Sequence, residues 1–150
     1  MGTNLREVYD KFMLTVTDYR LMHLFDTSEE DFENYLQAWL EFAIVDFQVC
    51  NQDLTFDDTT KTFSAELSLE NKVILAKLMT MYWMQKNVHD ITQMNLHVTD
   101  RDFKMASESA NLREKTTHLN HLKETCSQLL TDYAYKNNDW SSWLSQDFGG

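Results

Sequence analysis

The chain reads as a mainly α-helical protein, a small bundle of about four helices with a long C-terminal helix. Three observations predict this. The 150 residues contain no proline, and the three glycines, Gly2, Gly149 and Gly150, all lie at the ends. The interior therefore lacks both the residue that breaks helices and the one that makes tight turns. Apolar residues recur at three- and four-residue spacing along most of the length. Hydrophobic residues make up 43% and aromatics 13%, enough to fill a core and to argue against wholesale disorder.

The first helix is expected over about 4–17, where Leu5, Val8, Tyr9, Phe12, Met13 and Val16 share a face. Tyr19, Leu21, Met22 and Leu24 add a short helical turn. Asp26-Thr27-Ser28 then supplies N-cap oxygens, and Glu29, Glu30 and Asp31 sit where the helix dipole favours negative charge. The second helix follows over about 29–46. Phe32, Leu36, Trp39, Ala43 and Phe47 mark its inner face and Glu30, Glu33, Asn34, Gln37 and Glu41 its outer one.

Residues 51–66 change character. Leu54-Thr55-Phe56 and Thr62-Phe63-Ser64 are β-prone and flank a polar Asp57–Lys61 stretch, which predicts either a small hairpin or an ordered loop. An isolated hairpin is marginal, so it must pack on a helix or on a partner chain. Ser68 caps the third helix, expected from Leu69 to about Val88. Its apolar residues run most of the way round the wheel, the mark of a central helix covered on several sides. A polar connector is expected over 91–106. The last helix, over about 108–136 and roughly 43 Å long, carries a stripe of Leu112, Leu119, Leu122, Cys126, Leu129, Leu130 and Tyr133. The domain is thus 1–136, and 137–150 forms an extended tail. Trp140, Trp143, Leu144 and Phe148 in that tail are costly to leave in water. They dock either on the chain's own surface or on another protein.

The chemistry legible in the chain is sparse. A net charge of −11 argues against a general phosphate-binding surface. Such charge favours solubility and suppresses self-association. The two cysteines, Cys50 and Cys126, read as free thiols of a reducing cytosol rather than a disulfide scaffold. Arg6, Glu7, Asp10 and Lys11 interrupt any signal-peptide core. No GxSxG, P-loop or HExxH pattern occurs. Glu114, His118 and His121 share one face of the last helix at a spacing that can reach a zinc ion. That face reads instead as a solvated polar surface, and no metal or other cofactor is assigned. His89-Asp90 forms no dyad, because adjacent helical residues do not face each other. The chain is therefore read as a non-enzyme.

The order of parts from Leu67 to Leu122 carries a resemblance. A tryptophan-containing apolar helix ends in a polar connector carrying Asp102-Phe103-Lys104-Met105, and the segment Asp102-Phe103-Lys104-Met105-Ala106-Ser107-Glu108-Ser109-Ala110-Asn111-Leu112 leads into the last helix. This arrangement resembles the small helical head–tail connector (neck adaptor, or head completion) proteins of tailed bacteriophages, mostly over the second half of the chain. The resemblance implies a structural virion protein of the neck, assembled in the bacterial host cytoplasm. It implies a ring of copies, usually a dodecamer, beneath the portal protein. A downstream neck or tail-completion protein would stack below, and DNA would touch the chain only in transit. Such rings need head-to-tail contacts that close on themselves. Carried onto this chain, the portal-docking candidates are Tyr133, Trp140, Trp143, Leu144 and Phe148. The subunit-interface candidates are Leu54, Phe56, Phe63, Asp102, Phe103, Lys104 and Met105, with Phe103 as apolar anchor and Lys104 as partner for an acidic neighbour. Local packing within one chain accounts equally for Phe103. The aromatic, acidic tail departs from the basic ending of many members. The alternative is an acidic protein-binding module or regulator of the nucleic-acid-mimic type, which the net charge also fits.

Overall fold

The computed structural model of the chain describes residues 2–16, 19–97 and 102–137. Five helices and one small hairpin follow in order: α1 (Leu5–Thr15), α2 (Tyr19–Thr27), α3 (Glu29–Asp46), β1 (Phe56–Asp57), β2 (Thr62–Phe63), α4 (Leu69–His97) and α5 (Asp102–Asn137). The mainly helical expectation holds, with one more helix than expected. The short turn after the first helix is a full helix, α2, whose Phe25 ring meets Phe32 edge-on at 5.1 Å.

Local signals set most boundaries. The Asn4 side chain accepts the Arg6 N–H at 2.8 Å and starts α1. Ser28 Oγ accepts the Asp31 N–H at 3.2 Å and starts α3, with Glu29, Glu30 and Asp31 in the first turn. Ser68 does the same for α4 through the Asn71 N–H at 3.2 Å. The polar connector expected over 91–106 is a correction. Residues 91–97 continue α4, and Asp102 already opens α5. Polarity alone does not stop a helix, and no glycine or proline stands there to do so.

The core is formed by α1, α3 and the first half of α4. Leu5, Val8 and Phe12 of α1, Leu36, Leu40 and Ala43 of α3, and Leu75, Leu78 and Met79 of α4 are all buried. Phe12 meets Trp83 of α4 edge-on at 6.3 Å. One turn away, the Thr15 and Thr80 hydroxyls lie 3.1 Å apart. The apolar wheel of α4 is thereby covered on several sides, as its composition predicts.

Helices α4 and α5 pair antiparallel. Lys136 Nζ lies 3.2 Å from a Glu70 carboxylate oxygen at one end, and the Cys126 thiol faces the Lys77 carbonyl at 3.8 Å further along. Among the described side chains of α5 the buried ones are Leu119, Cys126 and Tyr133, a seam at every seventh residue. Spanning 36 residues, α5 is about 54 Å long.

The β-prone segment forms a two-stranded antiparallel hairpin, pairing Phe56 with Phe63 and Asp57 with Thr62. The N-terminus joins it. Phe63 N–H donates to the Thr3 carbonyl at 2.7 Å, Thr3 N–H donates to Ala65 at 3.1 Å, and Leu5 N–H donates to Lys61 at 2.9 Å. Thr3 Oγ1 accepts the Leu67 N–H at 2.8 Å, closing the buried end of this strip. Gly2 is required by a close approach. A Cβ there would lie 1.4 Å from the Phe63 carbonyl oxygen, which is backbone and cannot swing aside. Gly2→Ala is therefore expected to push the N-terminal strip off the hairpin and to cost about 1–3 kcal/mol. A lowered urea midpoint at unchanged slope checks this.

Candidate functional site

One end of the bundle is held by a polar knot around Tyr133. The ring is 2% exposed and packs edge-on to Phe47 at 4.9 Å. Its hydroxyl accepts the Asn51 N–H at 3.0 Å and donates to Asn51 Oδ1. Asn71 Nδ2, on α4, donates to Asn51 Oδ1 at 3.2 Å and to Gln52 Oε1 at 2.7 Å. Gln52 Oε1 also accepts the Ser68 N–H at 2.8 Å. Asn137 closes the end of α5. It donates to the Tyr133 carbonyl at 2.9 Å and accepts from Asn51 Nδ2 at 3.0 Å. The loop after α3 is thereby tied to the start of α4 and the end of α5. Burial is the main force raising the Tyr133 phenol above its ordinary value.

Tyr133 is thus a correction to the docking set. Its ring packs on Phe47 and its hydroxyl is satisfied by Asn51, so both are engaged in holding the ends of its own bundle together. Leu54 and Phe63, expected at a subunit interface, are likewise buried in the core. Phe63 packs on Phe56 at 6.1 Å and carries the hairpin onto the bundle. Phe56 is half-buried and lines an open groove with Ile44 and Val45 of α3; Val45 is 65% exposed. Asp102, Phe103, Lys104 and Met105 form the opening turn of α5. Trp140, Trp143, Leu144 and Phe148 lie outside the described residues.

Two surfaces escaped the reading of the sequence. The first is an aromatic ladder along α3: Tyr35 on Trp39 at 5.9 Å, Trp39 on Phe42 at 6.1 Å, and Phe42 stacked on Tyr82 of α4 at 5.4 Å. Tyr82 donates to Asp46 at 2.6 Å, and burial, with that carboxylate, pushes its phenol up to about 12. Phe42 remains half-exposed. The second is a groove of about 500 Å³ between the start of α4 and the end of α5, floored by Val73, Ile74, Leu129 and Tyr133. Leu69 stands 65% exposed at its edge. The signal for the ladder lay in Tyr35 and Phe42, aromatic residues off the stripe of α3, whereas Leu129 and Tyr133 of the groove stood on the stripe of α5 itself.

The titratable groups give little that converges. Among the described residues, no group of three His, Cys, Asp or Glu side chains is placed to hold a metal ion. Among the same residues no helix is long and apolar enough to cross a membrane. Cys50 and Cys126 are free thiols, and burial pushes Cys126 up to about 11. At pH 8 its alkylation is expected to run about two orders of magnitude slower than that of an unperturbed thiol. Timed alkylation with mass-spectrometric readout checks this. The folded state holds that proton more tightly than the unfolded chain. The resulting stability is full below the unfolded thiol value and is lost as pH rises through 11.

None of the protein-family models, curated proteins or solved structures compared with this chain matches it.

Proposed function

We propose that this chain is a structural assembly protein, a head–tail connector that rings the underside of a phage portal and lines the DNA passage. The observation that carries this reading is the α4–α5 hairpin. Its helices of 29 and 36 residues are far longer than α1 and α2, at 11 and 9. The buried positions of α4 lie in its first half, and the helix then continues to His97. A long two-helix arm on a compact body suits bridging between neighbouring subunits. Support also comes from the resemblance of the Asp102–Leu112 segment to connector proteins.

The subunit contacts proposed here are narrower than those first assigned. Phe56 with Val45 and Ile44 offers an open apolar groove for a neighbour, and the segment Asp102–Met105, at the start of α5, is kept from the resemblance as the second contact. Trp140, Trp143, Leu144 and Phe148 are retained for portal docking, and a downstream neck protein takes the opposite face of the ring. The test is electron microscopy of the chain mixed with portal protein from the phage that encodes it. A ring of added density beneath the portal is expected, lost with Trp140→Ala and Trp143→Ala together. A folded chain that leaves the portal bare would overturn the proposal.

The charge favours a second reading, an acidic module that binds a basic protein partner. Glu29, Glu30, Asp31 and Glu41 are exposed on α3 of a chain with net charge −11. Binding of that kind weakens steeply with salt, whereas ring contacts through apolar side chains do not.

A further inference from the structure

We propose that the gap between α1 and α2 is a binding site for a small organic cation, an ammonium group carried on one aromatic ring or on an aliphatic body of that size. This inference goes beyond the connector reading and does not rest on it. The packing of the helices opens the gap. Helix α1 packs chiefly on α4 and α2 on α3, so α1 and α2 are not closed face to face. Between them lies a cavity of about 250 Å³. Its floor is Tyr9 of α1 and Phe32 of α3, both buried. Met13 of α1 faces Met22 and Phe25 of α2 across it. Met22 is 51% exposed and Phe25 40%, apolar surface that a bound body would cover. The volume lies just below the usual range of ligand pockets, about 300–1,000 Å³, so the site suits one ring with a short arm.

Charge selects a cation. Three carboxylates line the cavity, Asp10 on α1, Asp26 on α2 and Glu33 on α3, against one guanidinium, Arg6. Arg6 is already engaged. It lies 2.6 Å from Glu29 and 3.8 Å from Glu33, and its guanidinium carbon sits 5.8 Å from the centre of the Phe25 ring. Asp10 and Asp26 have no ion-pair partner among the described residues. The floor reports the same field. Tyr9 is 3% exposed, and its hydroxyl is buried with no hydrogen-bond partner among the described residues. Burial first, and then the Glu33, Glu41 and Asp58 carboxylates, raise its phenol above the ordinary value, so the floor lies in a negative potential. The aromatic rings add to the preference, because their faces attract cations. An anion would meet unpaired carboxylates and would have to draw Arg6 away from Glu29. Among the described residues no three acidic, His or Cys groups converge on a metal ion, so the cation is an organic one.

The test uses the full chain without any partner, so its failure is separate from failure of portal binding. The methionine methyls are labelled with ¹³C, and 2-phenylethylammonium is titrated in at low salt. Met13 and Met22 line the cavity and report on it, while Met79, Met81 and Met84 of α4 serve as internal controls. Saturable shifts confined to Met13 and Met22 are expected, with a Kd of about 1 mM for a fragment of this size. Neutral 2-phenylethanol should bind about threefold more weakly or worse, and anionic 3-phenylpropionate more weakly still. Asp10→Asn with Asp26→Asn should weaken the ammonium by about threefold or more and leave the alcohol unchanged. Both carboxylates are exposed and asparagine matches their shape, so this variant keeps its fold. Asp132→Asn with Glu124→Gln removes the same charge from the exposed face of α5 and should change neither affinity. Without a saturable shift of Met13 or Met22 up to about 10 mM, the site is refuted. Equal affinity for the alcohol or the propionate, or indifference to the loss of Asp10 and Asp26, would overturn its assignment to a cation.

Discussion

Phe12→Ala is expected to lower the unfolding free energy by about 3–5 kcal/mol. The ring is fully buried and sits where α1 meets α4, edge-on to Trp83. Removing it leaves a void that α1 cannot close, because both ends of the helix are fixed. The first end is tied to the hairpin through Thr3 and Leu5, and the last turn faces α4 through Thr15 and Thr80. Against a typical total of about 5–15 kcal/mol, such a loss removes a third or more of the stability. Urea titration should show a lower midpoint with unchanged slope. A loss below about 1 kcal/mol would mean that α1 is not a member of the core.

Tyr133→Ala is the second large effect, again about 3–5 kcal/mol. It removes the packing on Phe47 and unties the knot that joins Asn51 and α4 to the end of α5. Tyr133→Phe separates the two contributions. It keeps the ring and deletes only the hydroxyl, and the Asn51 that it leaves is exposed enough to find water. Its cost is therefore about 0.5–1.5 kcal/mol. Equal losses for the two variants would show that the hydroxyl network, rather than the buried ring, holds α5 in place.

How far these features were legible differs by element. The bounds of α3 agree with the reading of the sequence because three signals coincide there: the Ser28 cap, the acidic first turn and the apolar stripe. The hairpin was visible in Phe56 and Phe63, separated by turn-forming polar residues. The limits of α4 and α5 were not, since composition over 91–106 lacks apolar periodicity while containing nothing that stops a helix. The N-terminal strip was hidden for another reason: Gly2 and Thr3 gain their meaning only from Phe63, Ala65 and Leu67. Tyr133 stood correctly on the apolar stripe of the last helix. Its partner Asn51 lies 82 residues earlier, and no local pattern links the two. Resemblance therefore assigned it outward, and packing turns it inward.

The partnership of α1 with α4 has a consequence for how the chain is made. Phe12 leaves the ribosome roughly 70 residues before Trp83, an interval of about 4–14 s at 5–20 residues per second. Throughout it, Leu5, Val8 and Phe12 have no α4 to cover them. The nascent protein thus offers an apolar helix to holdases long before its own core can claim it. Slowing translation between α1 and α4 should lengthen that exposure and lower the yield of folded protein, with no change in the stability of the molecules that complete it.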